Sequence, residues 1–182
     1  MRQQTVTGTT QSAIEESKVK FLTITAIAIA LVYVFTAFIN VRLPIAAAGG
    51  LIHLGNVPLF IFAILFGKKT GAIAGGVGMA LFDLLSGWGA WAPFTLIVVG
   101  LMGFEIGWIA EKKQGYLWNV LAIILAGVIK IVGYYIAEVI LYGNWAAPVA
   151  SIPGNLVQIG VAAVIVLIII EPLKKAANKI LL

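Results

Sequence analysis

The sequence predicts an all-α integral membrane protein, a bundle of six transmembrane helices with both termini in the cytoplasm. Its 182 residues are 62% hydrophobic and only 10% charged, with a mean hydropathy of +1.08. A soluble domain is about 45–50% apolar and about 25% charged. The apolar residues form runs that can cross a bilayer, which takes about 20 residues per helix. This composition excludes a soluble enzyme, a disordered chain and a nucleic-acid-binding module.

The first three segments follow a polar cytoplasmic tail at residues 1–20. The first segment, 21–39, carries no charge. The second, about 51–66, is closed by a glycine and two lysines, and the third, about 70–85, is short and rich in glycine. Each segment is predicted to be helical because backbone groups in lipid must find their hydrogen bonds within the segment.

The last three segments have sharper boundaries. The fourth, about 92–110, stops at a Glu-Lys-Lys sequence, and the fifth, about 116–142, is the longest. The sixth, about 152–170, is closed by a Glu-Pro pair. Six spans use about 120 residues, so residues 21–182 are predicted to form one membrane domain with no second domain.

The basic residues predict the orientation of the six segments. Of the 12 lysines and arginines, Arg42 lies in an outer connection and Lys130 lies inside a span. The other ten share the side that holds both termini: Arg2, Lys18, Lys20, Lys68, Lys69, Lys112, Lys113, Lys174, Lys175 and Lys179. Connections rich in lysine and arginine stay on the cytoplasmic side. Both termini are therefore predicted to be cytoplasmic.

Several kinds of catalytic site are absent from the sequence. There is no cysteine and only one histidine, His53, which excludes thiolate sites and metal sites built from several histidines. The Gly-Lys-Lys-Thr sequence at 67–70 lacks the upstream glycine of a phosphate-binding loop. No nucleophilic triad is evident. We therefore expect no metal, no cofactor and no enzyme activity in this chain.

Two opposite charges fall at the same depth within the predicted spans. At 1.5 Å per residue, Asp83 and Lys130 lie about 20 Å and about 21 Å from the cytoplasmic ends of their segments. Ionisable groups in hydrocarbon are costly and are candidates for function. If the two helices adjoin, the sequence predicts a structural ion pair between Asp83 and Lys130.

Polar and aromatic residues at the outer ends of the segments predict a ligand pocket. Glu138 lies about 33 Å along the fifth span, and Asn155 and Gln158 share one face of the sixth at the same level. Candidate pocket residues are His53, Trp91, Tyr135, Glu138, Trp145, Asn155 and Gln158. Such a set suits a small, neutral, hydrogen-bonding heteroaromatic molecule.

Each part of this pocket also has a structural explanation. The carboxylate and carboxamides could instead hold helices together, and the tryptophans could belong to an aromatic belt at the membrane surface. His53 could line the pocket or face water. In the first span, Ala26 and Ala30 share a face of small residues, which could pack within the bundle or receive another subunit.

Three stretches resemble one protein family, the substrate-binding S components of energy-coupling-factor (ECF) vitamin transporters. They are Gly49–Gly87 (GGLIHLGNVPLFIFAILFGKKTGAIAGGVGMALFDLLSG), Ala92–Trp108 (APFTLIVVGLMGFEIGW) and Glu138–Gln158 (EVILYGNWAAPVASIPGNLVQ). The subgroup they are most similar to is hydroxymethylpyrimidine/pyridoxine-like or riboflavin-like. The family's alanine-x-x-x-alanine signature matches Ala26 and Ala30.

The resemblance implies a multi-pass protein of a bacterial cell membrane that captures a water-soluble vitamin or precursor at the outer face. Hydroxymethylpyrimidine and pyridoxine are the expected ligands. The protein would dock through Ala26 and Ala30 on a transmembrane coupling subunit that carries two cytoplasmic ATPases, which would hydrolyse the ATP. The alternative is a self-sufficient proton-coupled carrier of a small heteroaromatic solute, which Asp83, Glu138 and Lys130 would serve.

Overall fold

Five helices and one short β-hairpin make up the fold, seen in a computed structural model that describes residues 2–42 and 51–181. In chain order the elements are α1 (Arg2–Phe38), β1 (Asn40–Arg42), β2 (Leu51–His53), α2 (Asn56–Leu85), α3 (Ala92–Lys112), α4 (Tyr116–Tyr142), a 3₁₀ turn (Ala147–Ser151) and α5 (Ile152–Leu181). The two strands pair antiparallel, with Asn40 opposite His53.

The prediction of six helices is wrong, because five helices in the described chain are long and apolar enough to cross a membrane. The predicted second and third spans are two arms of α2, and they meet at Gly67, which has φ 82° and ψ −177°. Only glycine adopts this backbone conformation readily. A Cβ at Gly71 would lie 2.6 Å from that of Ala63, although eight residues of straight helix cover about 12 Å. α2 therefore reverses its direction at Gly67.

The other helix boundaries agree with the prediction in part. α4 begins and ends where the sequence indicated, and α5 begins where expected. The predicted polar tail forms the first half of α1. α5 continues past its predicted end, with Pro172 inside the helix, and an ion pair of 3.2 Å between Lys174 Nζ and Glu171 Oε1 bridges the turn around that proline.

Glycines set the close packing of α2 against α3. A Cβ at Gly103 of α3 would overlap the backbone oxygen of Gly71 in α2, and a Cβ at Gly76 would lie 2.7 Å from the backbone oxygen of Leu96. Small residues let helix backbones approach each other in lipid, where packing drives association. The glycine-rich segment is thus a packing surface inside the bundle.

An ion pair ties the turn of α2 to the end of α3. Glu111 accepts hydrogen bonds from the backbone N–H of Lys68 at 3.0 Å and from its ammonium at 2.8 Å. The Gly67 turn therefore lies at the same end of the bundle as the C-terminus of α3. The β-hairpin, the α2–α3 connection and the 3₁₀ turn lie at the opposite end.

Candidate ligand-binding cavity

A polar cavity opens at the end of the bundle opposite the Gly67 turn. It has room for the centres of water-sized spheres over about 90 Å³. Ligand pockets commonly measure about 300–1,000 Å³, so this small space suits a single small substituted ring. The described residues that line it are Leu51, His53, Phe82, Asp83, Trp88, Trp91, Thr95, Lys130, Tyr134, Glu138, Ser151, Gly154, Asn155 and Gln158.

An aromatic wall closes one side of the cavity. Trp88 and Trp91 lie on the connection between α2 and α3, and their ring centroids are 5.2 Å apart in an edge-to-face arrangement. Tyr142, at the end of α4, packs its ring 6.0 Å from that of Trp91. Edge-to-face contacts hold rings in defined orientations, so this wall presents fixed aromatic surfaces.

A buried carboxylate is held by the start of the last helix. Glu138 is only 5% exposed, and one of its oxygens accepts a hydrogen bond of 2.6 Å from the hydroxyl of Ser151. The 3₁₀ turn brings Ser151 back to α4, 13 residues after Glu138. The hydroxyl therefore fixes one oxygen of the carboxylate, and the second oxygen accepts no hydrogen bond from the described residues.

A chain of hydrogen bonds crosses the cavity floor. The ammonium of Lys130, a residue 1% exposed, donates to the side-chain oxygen of Gln158 at 2.9 Å. The amide nitrogen of Gln158 donates to the backbone oxygen of Leu51 at 2.8 Å. Lys130 also lies 5.7 Å from the ring centroid of Tyr134. These contacts join α4, α5 and β2 around one buried positive charge.

His53 lines the cavity, and its ring is uncharged. Its Nδ1 accepts a hydrogen bond of 3.2 Å from the backbone N–H of Gly55, so the neutral ring carries its proton on Nε2. Burial and the positive charge of Lys130 hold the pKa of His53 well below its ordinary value. The sequence left open whether His53 lines the pocket or faces water, and in the structure it lines the cavity.

The arrangement can hold a small molecule by hydrogen bonds and aromatic contact. A family of sequences described as "ECF-type riboflavin transporter, S component" matches residues 16–175. The chain belongs to the S-component family of ECF transporters. This confirms the family resemblance and with it a role in membrane transport. An S component is a binding and transport subunit, so the family does not suggest an enzyme.

Three relatives illustrate what this S component is similar to. The thiamine precursor transporter HmpT of Lactococcus lactis subsp. cremoris (strain MG1363) is 30% identical over 151 residues, which are 83% of this chain and 86% of HmpT. An uncharacterized protein in gap 3'region of Pyrococcus woesei is 37% identical over 118 residues, 65% of this chain and 78% of that protein. A UPF0397 protein of Streptococcus agalactiae serotype Ia is 32% identical over 112 residues, 62% of this chain and 56% of that protein.

Most of the predicted pocket residues of the S component come together. His53, Trp91, Glu138, Asn155 and Gln158 all line the cavity. Five residues from four parts of the chain therefore meet at one end of the bundle, as the outer ends of the segments indicated.

Tyr135 and Trp145 are outside this cavity. The hydroxyl of Tyr135 donates to the backbone oxygen of Trp145 at 2.7 Å, and Trp145 is 71% exposed. Residues four apart share a face of a helix, so Tyr134 lies between Lys130 and Glu138 on the cavity side. Tyr135 is one position further round α4 and faces away.

Asp83 and Lys130 share the cavity without forming the predicted ion pair. The ion pairs within 4.0 Å among the described side chains are Lys68–Glu111 and Lys174–Glu171. Lys130 donates to Gln158 instead. The hydrogen-bond partner of the Lys130 ammonium is therefore the neutral amide of Gln158, whereas the prediction was the carboxylate of Asp83.

Several cavity residues were not predicted. They include Trp88, Thr95, Tyr134 and Ser151. The hydroxyl groups of Thr95 and Tyr134 are 3.0 Å apart and join α3 to α4. The spacing of the sequence could have identified two of them. Thr95 is one helical turn after Trp91. Tyr134 is one turn from both Lys130 and Glu138.

The alanines of the predicted docking face lie away from the cavity. Ala26 and Ala30 are both exposed on α1, whereas Ala28 and Val32 are buried. No described residue of α1 lines the cavity. A change at Ala26 or Ala30 would therefore not touch a bound ligand directly.

Proposed function

We propose that this S component captures a small water-soluble vitamin or vitamin precursor, pyridoxine or hydroxymethylpyrimidine, at the outer face of the membrane. It delivers the ligand inward when docked on a coupling subunit that carries two cytoplasmic ATPases. The observation that carries this proposal is the cavity itself. An apolar bundle gathers charged and hydrogen-bonding groups around a cavity at the end opposite the Gly67 turn, where a water-soluble molecule can enter. The similarity to a thiamine precursor transporter supports the same ligand class.

The size and chemistry of the cavity favour one ring over several. A space of about 90 Å³ is small beside the roughly 300–1,000 Å³ of common ligand pockets. Hydroxymethylpyrimidine and pyridoxine are single rings with small polar substituents, whereas riboflavin has three fused rings and a polyhydroxy chain. Trp88 and Trp91 offer surfaces for a flat ring, and Glu138 and Asn155 offer hydrogen bonds to its substituents.

We propose that the lysine-bearing end of the bundle faces the cytoplasm of a bacterium, with both termini there. The reversal of α2 at Gly67 supports this, because it returns the chain to the outer end before α3 begins. The Gly67 turn and the α3–α4 connection then share one side, and their lysines satisfy the positive-inside rule. The cavity faces outward.

Direct binding tests the proposal. The full chain, purified in lipid nanodiscs without ATP, is titrated with hydroxymethylpyrimidine, pyridoxine, thiamine and riboflavin by calorimetry. We expect saturable one-to-one binding, tightest for hydroxymethylpyrimidine or pyridoxine. Trp91→Ala should weaken it at least tenfold, because it removes a cavity wall, whereas Trp118→Ala at the lysine-bearing end should not. No saturable binding, or tight binding of riboflavin alone, would contradict the proposal.

A second candidate is a proton-coupled carrier that works without partner subunits. It is motivated by Asp83, Lys130 and Glu138, three ionisable groups that line a cavity between membrane-spanning helices. Proteoliposomes that contain this chain alone separate the two functions. Accumulation of hydroxymethylpyrimidine driven by a proton gradient would favour the carrier, and uptake only with the coupling and ATPase subunits would favour the S component.

A further inference from the structure

The charged groups of the cavity do not balance. Two carboxylates, Asp83 and Glu138, face a single ammonium, Lys130. His53 cannot restore the balance, because burial and the charge of Lys130 hold its pKa low. With ordinary charges, these described side chains together carry one negative charge in excess.

Among the described side chains, the other elements around the cavity add no positive charge. α3, the 3₁₀ turn and α5 present hydroxyl, amide and apolar side chains, and α4 adds the phenols of Tyr134 and, beside Trp91, Tyr142. Residues 43–50 read LPIAAAGG and contain no titratable side chain. Arg42 is the remaining charge in the outer connections, on β1 at the position opposite Leu51.

Glu138 has no cationic partner among the described side chains, whose ion pairs within 4.0 Å are Lys68–Glu111 and Lys174–Glu171. The partner of Glu138 is the neutral hydroxyl of Ser151, which bonds one of its oxygens. A carboxylate in a membrane-spanning bundle is costly without a positive partner, so a ligand that brings a positive charge is favoured over a neutral one.

We propose that the cavity binds its ligand as a cation, a heteroaromatic base whose protonated ring nitrogen donates to Glu138. The flat face of the ring stacks on one of the two nearly perpendicular indoles, Trp88 or Trp91, because tryptophan faces attract cations. This inference rests on the proposed function and narrows its substrate class. It also replaces the neutral ligand that the sequence indicated. Aminopyrimidines and pyridines are ring bases, whereas the ring system of riboflavin is not basic near neutral pH. The cavity would therefore select against riboflavin by charge as well as by size.

The charge of the bound ring can be measured directly. Hydroxymethylpyrimidine labelled with ¹⁵N in its ring is bound to the full chain in nanodiscs, and its nitrogen chemical shift is recorded above the pKa of the free ligand. We expect the shift of the protonated ring. In the same samples Kd should weaken about tenfold per pH unit once both the free ligand and the cavity carboxyl are deprotonated, because binding then takes up one proton.

Matched variants assign the charge to one residue. Glu138→Gln keeps the size of the side chain and should weaken binding at least tenfold and abolish the alkaline slope of Kd. Glu171→Gln, the same change on α5 away from the cavity, should alter neither. A bound ring with the free-base nitrogen shift in the unmodified protein overturns the inference and leaves the proposed function standing. Absence of binding at every pH overturns both.

Discussion

Gln158 connects two parts of the cavity that the chain brings from distant positions. It accepts from Lys130 on α4 and donates to the backbone of β2 at Leu51, 107 residues earlier. Both partners have buried polar groups that need a hydrogen bond. The amide therefore connects the last two helices to the β-hairpin.

Replacing this amide should destabilise the end of the bundle that holds the cavity. Gln158→Leu leaves the Lys130 ammonium and the Leu51 carbonyl without their partner, and hydrogen bonds to charged groups contribute about 1.5–3 kcal/mol. We expect a lower unfolding temperature in nanodiscs, followed by tryptophan fluorescence, and weaker binding of hydroxymethylpyrimidine. Val157→Leu, on the lipid-facing side of the same turn, is the control. Equal stability of the two variants would show that the hydrogen bonds of Gln158 do not stabilise this end of the bundle.

Helical spacing explains which cavity residues could be predicted. Asn155 and Gln158 are three apart on α5, so the sequence alone placed them on one face. The same rule applied to Lys130 would have selected Tyr134 and rejected Tyr135. The contact between Ser151 and Glu138 depends on the course of the 3₁₀ turn, and no periodic pattern describes that course.

At the scale of helices, α2 and α3 are joined by glycines that no larger residue can replace. A Cβ at Gly103 would overlap the backbone of Gly71, and a backbone atom cannot rotate away as a side chain can. The contact fixes the spacing of α2, which carries Asp83, and α3, which begins directly after Trp91, so it also fixes the width of the cavity.

The glycine contact can be tested with two identical substitutions. Gly103→Ala should destabilise the protein by about 1–3 kcal/mol, the usual cost of overpacking. Gly160→Ala on α5 meets nothing within 4 Å and should be neutral or stabilising by up to about 1 kcal/mol, because alanine favours helix. Thermal unfolding of both variants in nanodiscs measures the difference. The interpretation fails if Gly103→Ala is as stable as Gly160→Ala.

The number of helices was predicted wrongly because the composition of the sequence does not reveal the course of the chain at Gly67. The Gly-Lys-Lys sequence at 67–69 correctly marked a change of direction, and it was taken for a loop between two separate spans. The first arm of α2, residues 56–66, covers only about 16 Å as a helix, too short for a hydrocarbon core of about 30 Å. Hydropathy could not detect this, because the arm and the strand before it form one continuous apolar run.

At the scale of the whole molecule, the cavity proposed for the ligand and the surface proposed for docking are separate. The cavity lies among β2 and helices α2 to α5, and Ala26 and Ala30 are exposed on α1, outside it. An S component with this separation can hold its ligand while a coupling subunit engages or leaves. Binding and uptake should then be separable by mutation.

A double substitution on α1 tests this separation. Ala26→Trp with Ala30→Trp places two indoles on a surface of small residues, where they would keep a partner helix from close approach. We expect uptake of labelled hydroxymethylpyrimidine to be abolished in proteoliposomes that contain the coupling and ATPase subunits, while Kd in nanodiscs stays within about twofold. Ile27→Trp with Leu31→Trp is the matched control, because each position lies about 100° further round the same exposed helix, and it should leave uptake intact. If the alanine variant still transports, docking uses another surface of the bundle. If its Kd rises together with the loss of uptake, α1 contributes to the cavity and the two surfaces are not independent.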